Sequence, residues 1–195
     1  VAWNPGGAEI ERIMNHESGI MGLVDFLIVN REEAAKLTAV NFQNTRGLLY
    51  AIAHNSTNVI MTDGPKGAYA VTQSVILNEA PAPEQSSVRG FTPRSEGSRS
   101  VMHGILRSAQ NDKLTAYYIP SAGHQPKNLT GAGDAFGSAF LTGWIKSRGD
   151  IKYALRLASF NADSVVQHIG AKVGILEKIP SRAQMVKLPV REVKI

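Results

Sequence analysis

Two short apolar runs constrain the fold of this chain most strongly. The first covers residues 24–29 and is nearly continuous, and the second covers residues 58–62. Strands that are covered on both faces carry apolar residues at almost every position, whereas half-exposed strands alternate apolar with polar ones. Since helical patterns alternate with these runs, we expect an α/β fold in which helices cover both faces of a sheet, in three layers.

Apolar spacing and end signals give the expected elements around these runs. One long helix is expected to follow Gly131, and Phe136, Phe140 and Trp144 recur along it at the spacing of a core-facing stripe. A second is expected to begin at Asp150, reach Ile169 and end before Gly170. The other expected helices are 8–15, 31–37 and 45–54, and the other expected strands are 1–3, 68–72, 75–77 and 115–119.

The segment from 81 to 113 differs from the rest of the chain. Pro, Ser, Gly, Arg and Gln dominate it, and apolar periodicity nearly disappears. Such a composition cannot bury enough apolar surface to offset the entropy of ordering, and the segment is long for a loop inside a compact domain. The sequence therefore predicts a single domain over residues 1–195 that carries a disordered or loosely packed insertion at 85–113.

Charge and composition limit the partners. The net charge is +5, but residues 85–113 hold five basic and two acidic residues and so contribute more than half of it. Phe91 is the single aromatic residue among those arginines, and we expect no nucleic-acid partner. No apolar run approaches the ~20 residues that span a bilayer, so we expect no membrane partner. The absence of Cys excludes disulfides and thiolate metal sites and is compatible with the cytoplasm, where we expect the protein.

The motif most indicative of chemistry is Thr130-Gly-Ala-Gly-Asp134 at the start of the long helix. Small residues let a phosphate approach the backbone, and the amides of Gly131, Ala132 and Gly133 would form an anion site at the positive end of the helix. Asp134 could accept a hydroxyl proton while those amides hold phosphoryl oxygens, as phosphoryl transfer requires. The alternative is a Gly-rich helix start in which Asp134 is a favourable first-turn charge.

A second motif, Asn30-Arg-Glu-Glu33, follows the first apolar run directly. Asn30 and Glu33 could hold the water shell of a Mg²⁺ ion, which keeps several waters and needs few protein ligands. The alternative is a capping box, in which Asn at the N-cap and Glu at the third helical position bond each other's backbone. The residues alone leave both interpretations open.

A third motif, Thr62-Asp-Gly64-Pro-Lys-Gly67, follows the second apolar run. Glycines at the end of a buried strand suit a turn that contacts a nucleotide. They equally suit a plain β-turn, because glycine adopts the positive φ angles that such turns use.

Taken together and in this order, the three motifs resemble those of the ribokinase-like PfkB carbohydrate kinase family. That family has Asn-x-x-Glu, then Thr-x-Gly-x-x-Gly, then Asp-Thr-x-Gly-Ala-Gly-Asp before a helix. Residues 154–162 and 169–171 also resemble the family's C-terminal helix and the loop after it. The resemblance covers about residues 1–80 and 115–180 of this chain, and it implies a three-layer ribokinase-like fold.

The resemblance also implies a reaction, transfer of the ATP γ-phosphoryl group to a hydroxyl of a sugar, a nucleoside or a similar small alcohol, with ATP and Mg²⁺ as cofactors. It implies a role for each motif residue. In these roles Asp134 is the base, and the amides of Gly131, Ala132 and Gly133 form the anion hole. Thr62, Gly64 and Gly67 lie along the ATP phosphates and ribose, and Asn161 lies near the adenine. Asn30 and Glu33 organise Mg²⁺ through water.

Two departures from the family pattern matter. Family members are longer, and their N-terminal half supplies most of the acceptor pocket and the lid, so we expect that half to be missing here or supplied in trans. A truncated, inactive chain that still binds nucleotide is therefore the alternative to a working kinase. Asn128 stands where the family usually has an Asp that often helps to bind a monovalent cation, and this weakens the expectation of such a cation.

Overall fold

A mixed six-stranded sheet organises the chain in the computed structural model, which describes residues 1–15, 24–54, 56, 58–74, 113–170 and 172–195. The strands lie side by side in the order in which they occur in the sequence. The first three pair in parallel, the third and fourth pair antiparallel, and so do the fifth and sixth. They are β1 (Ala2–Trp3), β2 (Phe26–Asn30), β3 (Asn58–Thr62), β4 (Ala68–Ser74), β5 (Lys113–Ile119) and β6 (Arg191–Val193).

In the described part of the chain, helices follow β1, β2 and β5, and most of them begin at a recognisable cap. They are α1 (Gly7–Asn15), α2 (Arg31–Thr38), α3 (Thr45–Ala53), α4 (Ala132–Lys146), α5 (Ile151–Val166) and α6 (Arg182–Val186), with a short 3-10 helix over Gly64–Lys66. Asp150, for example, accepts hydrogen bonds from the backbone N–H groups of Lys152 and Tyr153 and so begins α5 as expected. Within the described ranges, none of these helices combines the length and the apolar character needed to cross a bilayer.

Helices cover both faces of the sheet, which confirms the predicted three layers. Successive side chains of a strand point to opposite faces. Leu27 and Val29 of β2 pack in a core with Leu48 and Ile52 of α3. Their neighbours Phe26 and Ile28 pack on the other face, in a core with residues of α4 and α5. All four β2 residues from Phe26 to Val29 are buried, and this explains why their apolar run is continuous.

The aromatic stripe of α4 packs on the sheet as predicted. Phe136 and Phe140 are buried, and Phe26 of β2 contacts both Phe140 and Trp144 edge-on, with ring centroids 5.8 Å and 5.2 Å apart. On its other side α4 lies against α5, where a Cβ added to Gly143 would come within 2.8 Å of the Ala154 Cα. The small residue therefore lets the two helix backbones approach closely.

The predicted boundaries of the described elements agree with the structure to within two residues except near the C-terminus. The helix expected to reach Ile169 ends at Val166, where the backbone N–H groups of Lys127 and Asn128 bond to the Val166 carbonyl. The sequence interpretation also missed α6 and β6. Helix α6 begins with a capping box between Ser181 and Gln184, a pattern that could have revealed it.

Two predictions lie outside the described residues. They are the strand at 75–77 and the insertion at 85–113, of which only Lys113 is described. All the helices and strands given above belong to one compact unit, Val1–Gln73 and Leu114–Ile195, except for Ser74 and Lys113 at two strand ends.

Candidate functional site

A cavity of about 320 Å³ opens beside the C-terminal ends of β2 and β3. Crevices at the carboxyl ends of parallel strands are the usual ligand sites of open α/β sheets. The three motifs converge here although they lie far apart in the sequence. Six of the ten predicted site residues line the cavity: Asn30, Thr62, Gly64, Gly67, Ala132 and Gly133.

The start of α4 presents backbone N–H groups at one wall of this cavity. Gly131 is the N-cap with a left-handed φ of 84°, and no side chain of the described residues caps the helix there. The first N–H groups of a helix have no partner within it. The Ala132 N–H donates to the Leu129 carbonyl at 3.3 Å, and the N–H groups of this turn that make no such bond are available to an anion. A Cβ added to Gly133 would meet nothing within 4 Å, which shows that space lies over this turn.

The Asp134 carboxylate lies in the first turn of α4, exposed and outside the residues that line the cavity. Its Oδ1 accepts a hydrogen bond of 2.9 Å from the side-chain amide of Asn4. Asn4 lies just after β1, and β1 is parallel to β2, so its loop is at the same edge of the sheet as Asn30. Sequence reasoning missed this contact, which spans 130 positions.

Asn30 and Glu33 form the capping box that the sequence left as an alternative. The Asn30 side chain accepts from the Glu33 backbone N–H at 2.9 Å, and Glu33 Oε2 accepts from the Asn30 backbone N–H at 2.7 Å. Asn30 lines the cavity, whereas Glu33 does not. Among the described residues, no three His, Cys, Asp or Glu side chains come together as a metal-binding group.

The turn between β3 and β4 follows the cavity wall. Gly64 and Gly67 both have positive φ, 52° and 109°. A Cβ on Gly67 would overlap the carbonyl oxygen of Ile119 at the end of β5, so only glycine fits at this position. The turn is therefore tightly fixed by the fold, and the same glycines also line the cavity.

A buried ion pair joins the second and third motifs, and sequence reasoning missed it. Arg31 donates to both carboxylate oxygens of Asp63, at 2.7 Å and 2.6 Å, and the two side chains are 7% and 8% exposed. Arg31 also donates to the Phe42 carbonyl at 3.0 Å. This ion pair could have been predicted from the sequence, because Arg31 and Asp63 each follow directly after one of two neighbouring parallel strands.

The phenol of Tyr69 lies next to this ion pair. Burial raises its pKa above the ordinary value for tyrosine, and the Asp63 carboxylate adds to the increase while Arg31 opposes it. The phenol is therefore protonated and uncharged at neutral pH, and Arg31 and Asp63 balance each other as the local charges.

Asn161, which was predicted near a nucleotide base, lies elsewhere. Its side-chain amide donates to the Ala135 carbonyl at 2.8 Å, and its oxygen accepts from the Leu176 backbone N–H at 2.9 Å. It does not line the 320 Å³ cavity but a separate one of about 170 Å³. Because both ends of the buried side chain are occupied, Asn161 connects α4, α5 and the C-terminal loop rather than facing the predicted site.

Asn128, which precedes the glycine motif, also has a local partner. Its side-chain oxygen accepts a hydrogen bond of 2.9 Å from the backbone N–H of Thr130. An Asn side chain that bonds the backbone two residues on stabilises a turn. The residue therefore shapes the loop that leads to Gly131.

Solved structures of sugar and nucleoside kinases share this fold. Ribokinase from Thermotoga maritima superposes with a TM-score of 0.57 at 18% identity, over 96% of this chain and 48% of that one. Fructokinase from Vibrio cholerae, bound to fructose, ADP and calcium, gives 0.59 at 18% identity, over 96% and 49%. A nucleoside kinase from Methanocaldococcus jannaschii gives 0.55 at 19% identity, over 96% and 46%. The chain thus has a ribokinase-like α/β fold and spans about half the length of these proteins.

A comparison of the sequence with protein-family profiles identifies the family. It matches the pfkB family carbohydrate kinase profile over residues 14–89 and 104–178, which is more than half of the chain. No curated protein matches the sequence. The chain belongs to the PfkB family of carbohydrate kinases, and this confirms the resemblance that the three motifs indicated.

Proposed function

We propose that this chain is the nucleotide-binding part of an ATP-dependent phosphotransferase. The reaction would transfer the γ-phosphoryl group to a hydroxyl of a sugar, a nucleoside or a similar small alcohol. The observation that carries the proposal is the start of α4, which no described side chain caps: Ala132 and Gly133 line the 320 Å³ cavity, and the exposed carboxylate of Asp134 follows directly after them. Family membership supports the same reaction class.

In this proposal each part of the site has one task. The N–H groups at the start of α4 hold the oxygens of the phosphoryl group in transfer, because they are fixed in place and need no reorganisation as charge develops. Asp134 accepts the proton of the attacking hydroxyl. Thr62, Gly64 and Gly67 line the cavity along the triphosphate and the ribose.

Asn4 leaves Asp134 competent as a base. It donates to Oδ1 only, so Oδ2 stays available for the hydroxyl proton of the acceptor. An amide donor also holds the carboxylate in one orientation without adding a charge beside it. The loop after β1 would thereby position the base relative to the start of α4.

Mg²⁺ would bind at this site through its own water ligands. Asn30 and Glu33 are oxygen donors of the kind that Mg²⁺ prefers, but the capping box occupies Asn30 Oδ1 and Glu33 Oε2. Direct coordination by a full protein ligand set does not fit the described residues, whereas contact through the metal's own waters does. When bound, Mg²⁺ would neutralise charge on the phosphates.

A second candidate function is nucleotide binding without transfer. It is favoured by one observation, that the chain spans about half the length of the kinases whose fold it shares. An acceptor site formed in part by another chain, such as an N-terminal half supplied in trans, belongs to the first proposal. The two candidates predict the same ATP binding and differ in turnover.

Asp134→Asn tests the proposed base. We expect it to lower phosphoryl transfer to a sugar or nucleoside panel by ~10²–10⁴-fold or more, because an asparagine amide cannot accept the hydroxyl proton. ATP affinity should stay within about threefold, since asparagine keeps the shape and can still accept from Asn4. Transfer is measured as ADP release that depends on the acceptor, and ATP affinity by calorimetry.

Glu192→Gln is the matched control, because it removes an exposed carboxylate on β6 far from the motifs in the sequence. Its turnover and ATP affinity should equal those of the unmodified chain. Near-normal turnover in Asp134→Asn would exclude Asp134 as the base. Saturable ATP binding without transfer to any acceptor, by the unmodified chain, would leave the binding-only candidate.

A further inference from the structure

A histidine–aspartate pair in the cavity wall has no role in the proposed reaction. His124 Nδ1 lies 2.7 Å from Asp163 Oδ2, and both residues line the 320 Å³ cavity. The Asp163 side chain is 10% exposed, whereas that of His124 is 61% exposed. The same Asp163 oxygen accepts from the side-chain amide of Gln167 at 3.0 Å. The aspartate is thus a buried anchor, and the histidine is the accessible member of the pair.

The wall around this pair is largely apolar. Pro126 and Leu129 come from the loop that precedes α4, and Ala162 and Val166 come from α5. The loop is held against α5 because the backbone N–H groups of Lys127 and Asn128 donate to the Val166 carbonyl, at 2.7 Å and 3.1 Å. An apolar wall with one fixed polar group suits a flat ring that is recognised by one edge.

The hydrogen bond to Asp163 determines what His124 can offer a ligand. An ionised carboxylate only accepts hydrogen bonds, so the Nδ1 nitrogen must carry the proton that lies between the two side chains. In a neutral imidazole the other nitrogen, Nε2, is then an acceptor. In that neutral state His124 can accept a hydrogen bond from an amino group, and it would repel a carbonyl oxygen in the same place.

We propose that His124, oriented by Asp163, is a specificity-determining residue that selects adenine over guanine nucleotides. Adenine presents an amino group at the position where guanine presents a carbonyl oxygen. With guanine two acceptors would face each other and lose their hydrogen bonds to water, a cost that corresponds to about tenfold in affinity. The inference rests on the proposed nucleotide site, since it assigns a role to that same cavity.

Binding of ATP and of GTP in the presence of Mg²⁺, measured by calorimetry on the full chain, tests this role. The unmodified chain should bind ATP about tenfold more tightly than GTP. His124→Phe keeps an aromatic ring but removes the acceptor, so the ratio of the two dissociation constants should fall to within about threefold. His124→Gln can turn its amide to donate or to accept, and it should reduce the ratio in the same way.

His54→Phe is the matched control. His54 is exposed at the end of α3, bonds through Nδ1 to the Tyr50 carbonyl and does not line the cavity, so its variant should keep the full ratio. An unchanged ratio in both His124 variants, or equal affinity of the unmodified chain for ATP and GTP, overturns the inference and leaves the proposed function intact. If the folded chain binds neither nucleotide, the proposed function fails and the inference fails with it.

Discussion

Two glycines of the β3–β4 turn show how much one residue can constrain the site. Gly67 has φ 109° and ψ −142°, a region that is essentially open to glycine alone, and a side chain there would overlap the Ile119 carbonyl. Gly64 has φ 52° and open space around it. Both line the cavity, but only Gly67 is also fixed by a neighbouring strand.

We predict that Gly67→Ala lowers the free energy of unfolding by at least about 3 kcal/mol, because backbone strain adds to the overlap with β5. Gly64→Ala is the matched variant and should cost only about 1 kcal/mol, the penalty for a left-handed alanine without a clash. Urea denaturation measures both. Equal losses would show that contact with Ile119 does not determine the requirement for glycine.

The residues of the site were predictable only in part. Asn30, Thr62 and Gly133 were predicted at the site and line the cavity, and each ends a strand or starts a helix in a short local pattern. Asn4 and His124 were missed because their partners lie 130 and 39 positions away in the sequence. Local spacing carries no information on such pairs, which depend on how strands and helices pack.

The ion pair of Arg31 and Asp63 acts at the scale of elements. Arg31 is the first residue of α2, and Asp63 follows β3, so the pair fixes the ends of two parallel strands at the cavity. Removing one member would leave a buried charge without its partner. The pair therefore holds Asn30 and Thr62, which line the cavity beside it, at a constant separation.

We predict that Asp63→Leu or Arg31→Met alone lowers the free energy of unfolding by about 3–5 kcal/mol, the usual cost of breaking a buried pair. Arg31→Met combined with Asp63→Leu should recover more than half of that loss, because it leaves no unpaired charge. Urea denaturation of the two single variants and the double variant gives the coupling. If the loss of stability in the double variant equals the sum of the losses in the two single variants, the two side chains do not stabilise each other as a pair.

Elements with strong periodicity were predicted well. The bounds of β3 agree at both ends, and the α4 stripe faces the core as expected. The short β6 was missed because three residues, Arg-Glu-Val, show no apolar alternation, and only pairing with β5 makes them a strand. Helix α5 ends earlier than predicted, where the backbone N–H groups of the loop before α4 bond to its last carbonyl.

At the scale of the whole molecule, the sheet, its helices and the cavity belong to one unit made of Val1–Gln73 and Leu114–Ile195. The sequence predicts that 85–113 is an insertion into that unit, and deletion tests this. Removing 86–112 should leave the melting temperature within about 3 °C, because the predicted core contacts lie elsewhere. A fall of more than about 10 °C would show that the segment contributes to the core.

The measurement that tests the account most directly is calorimetric titration of the full chain with ATP and Mg²⁺. Gly133 is the informative position, because a side chain there meets open space in the fold but enters the cavity. Gly133→Leu should therefore remain folded by circular dichroism, and Thr142→Leu, exposed on the same helix and outside this cavity, is its control.

The account predicts saturable ATP binding by the unmodified chain and by Thr142→Leu. It predicts binding weakened about tenfold or more in Gly133→Leu, because the added side chain would displace the phosphates from the N–H groups of α4. A folded chain that does not bind ATP, or a Gly133→Leu variant that binds it as tightly as the unmodified chain, would contradict a nucleotide site at the start of α4.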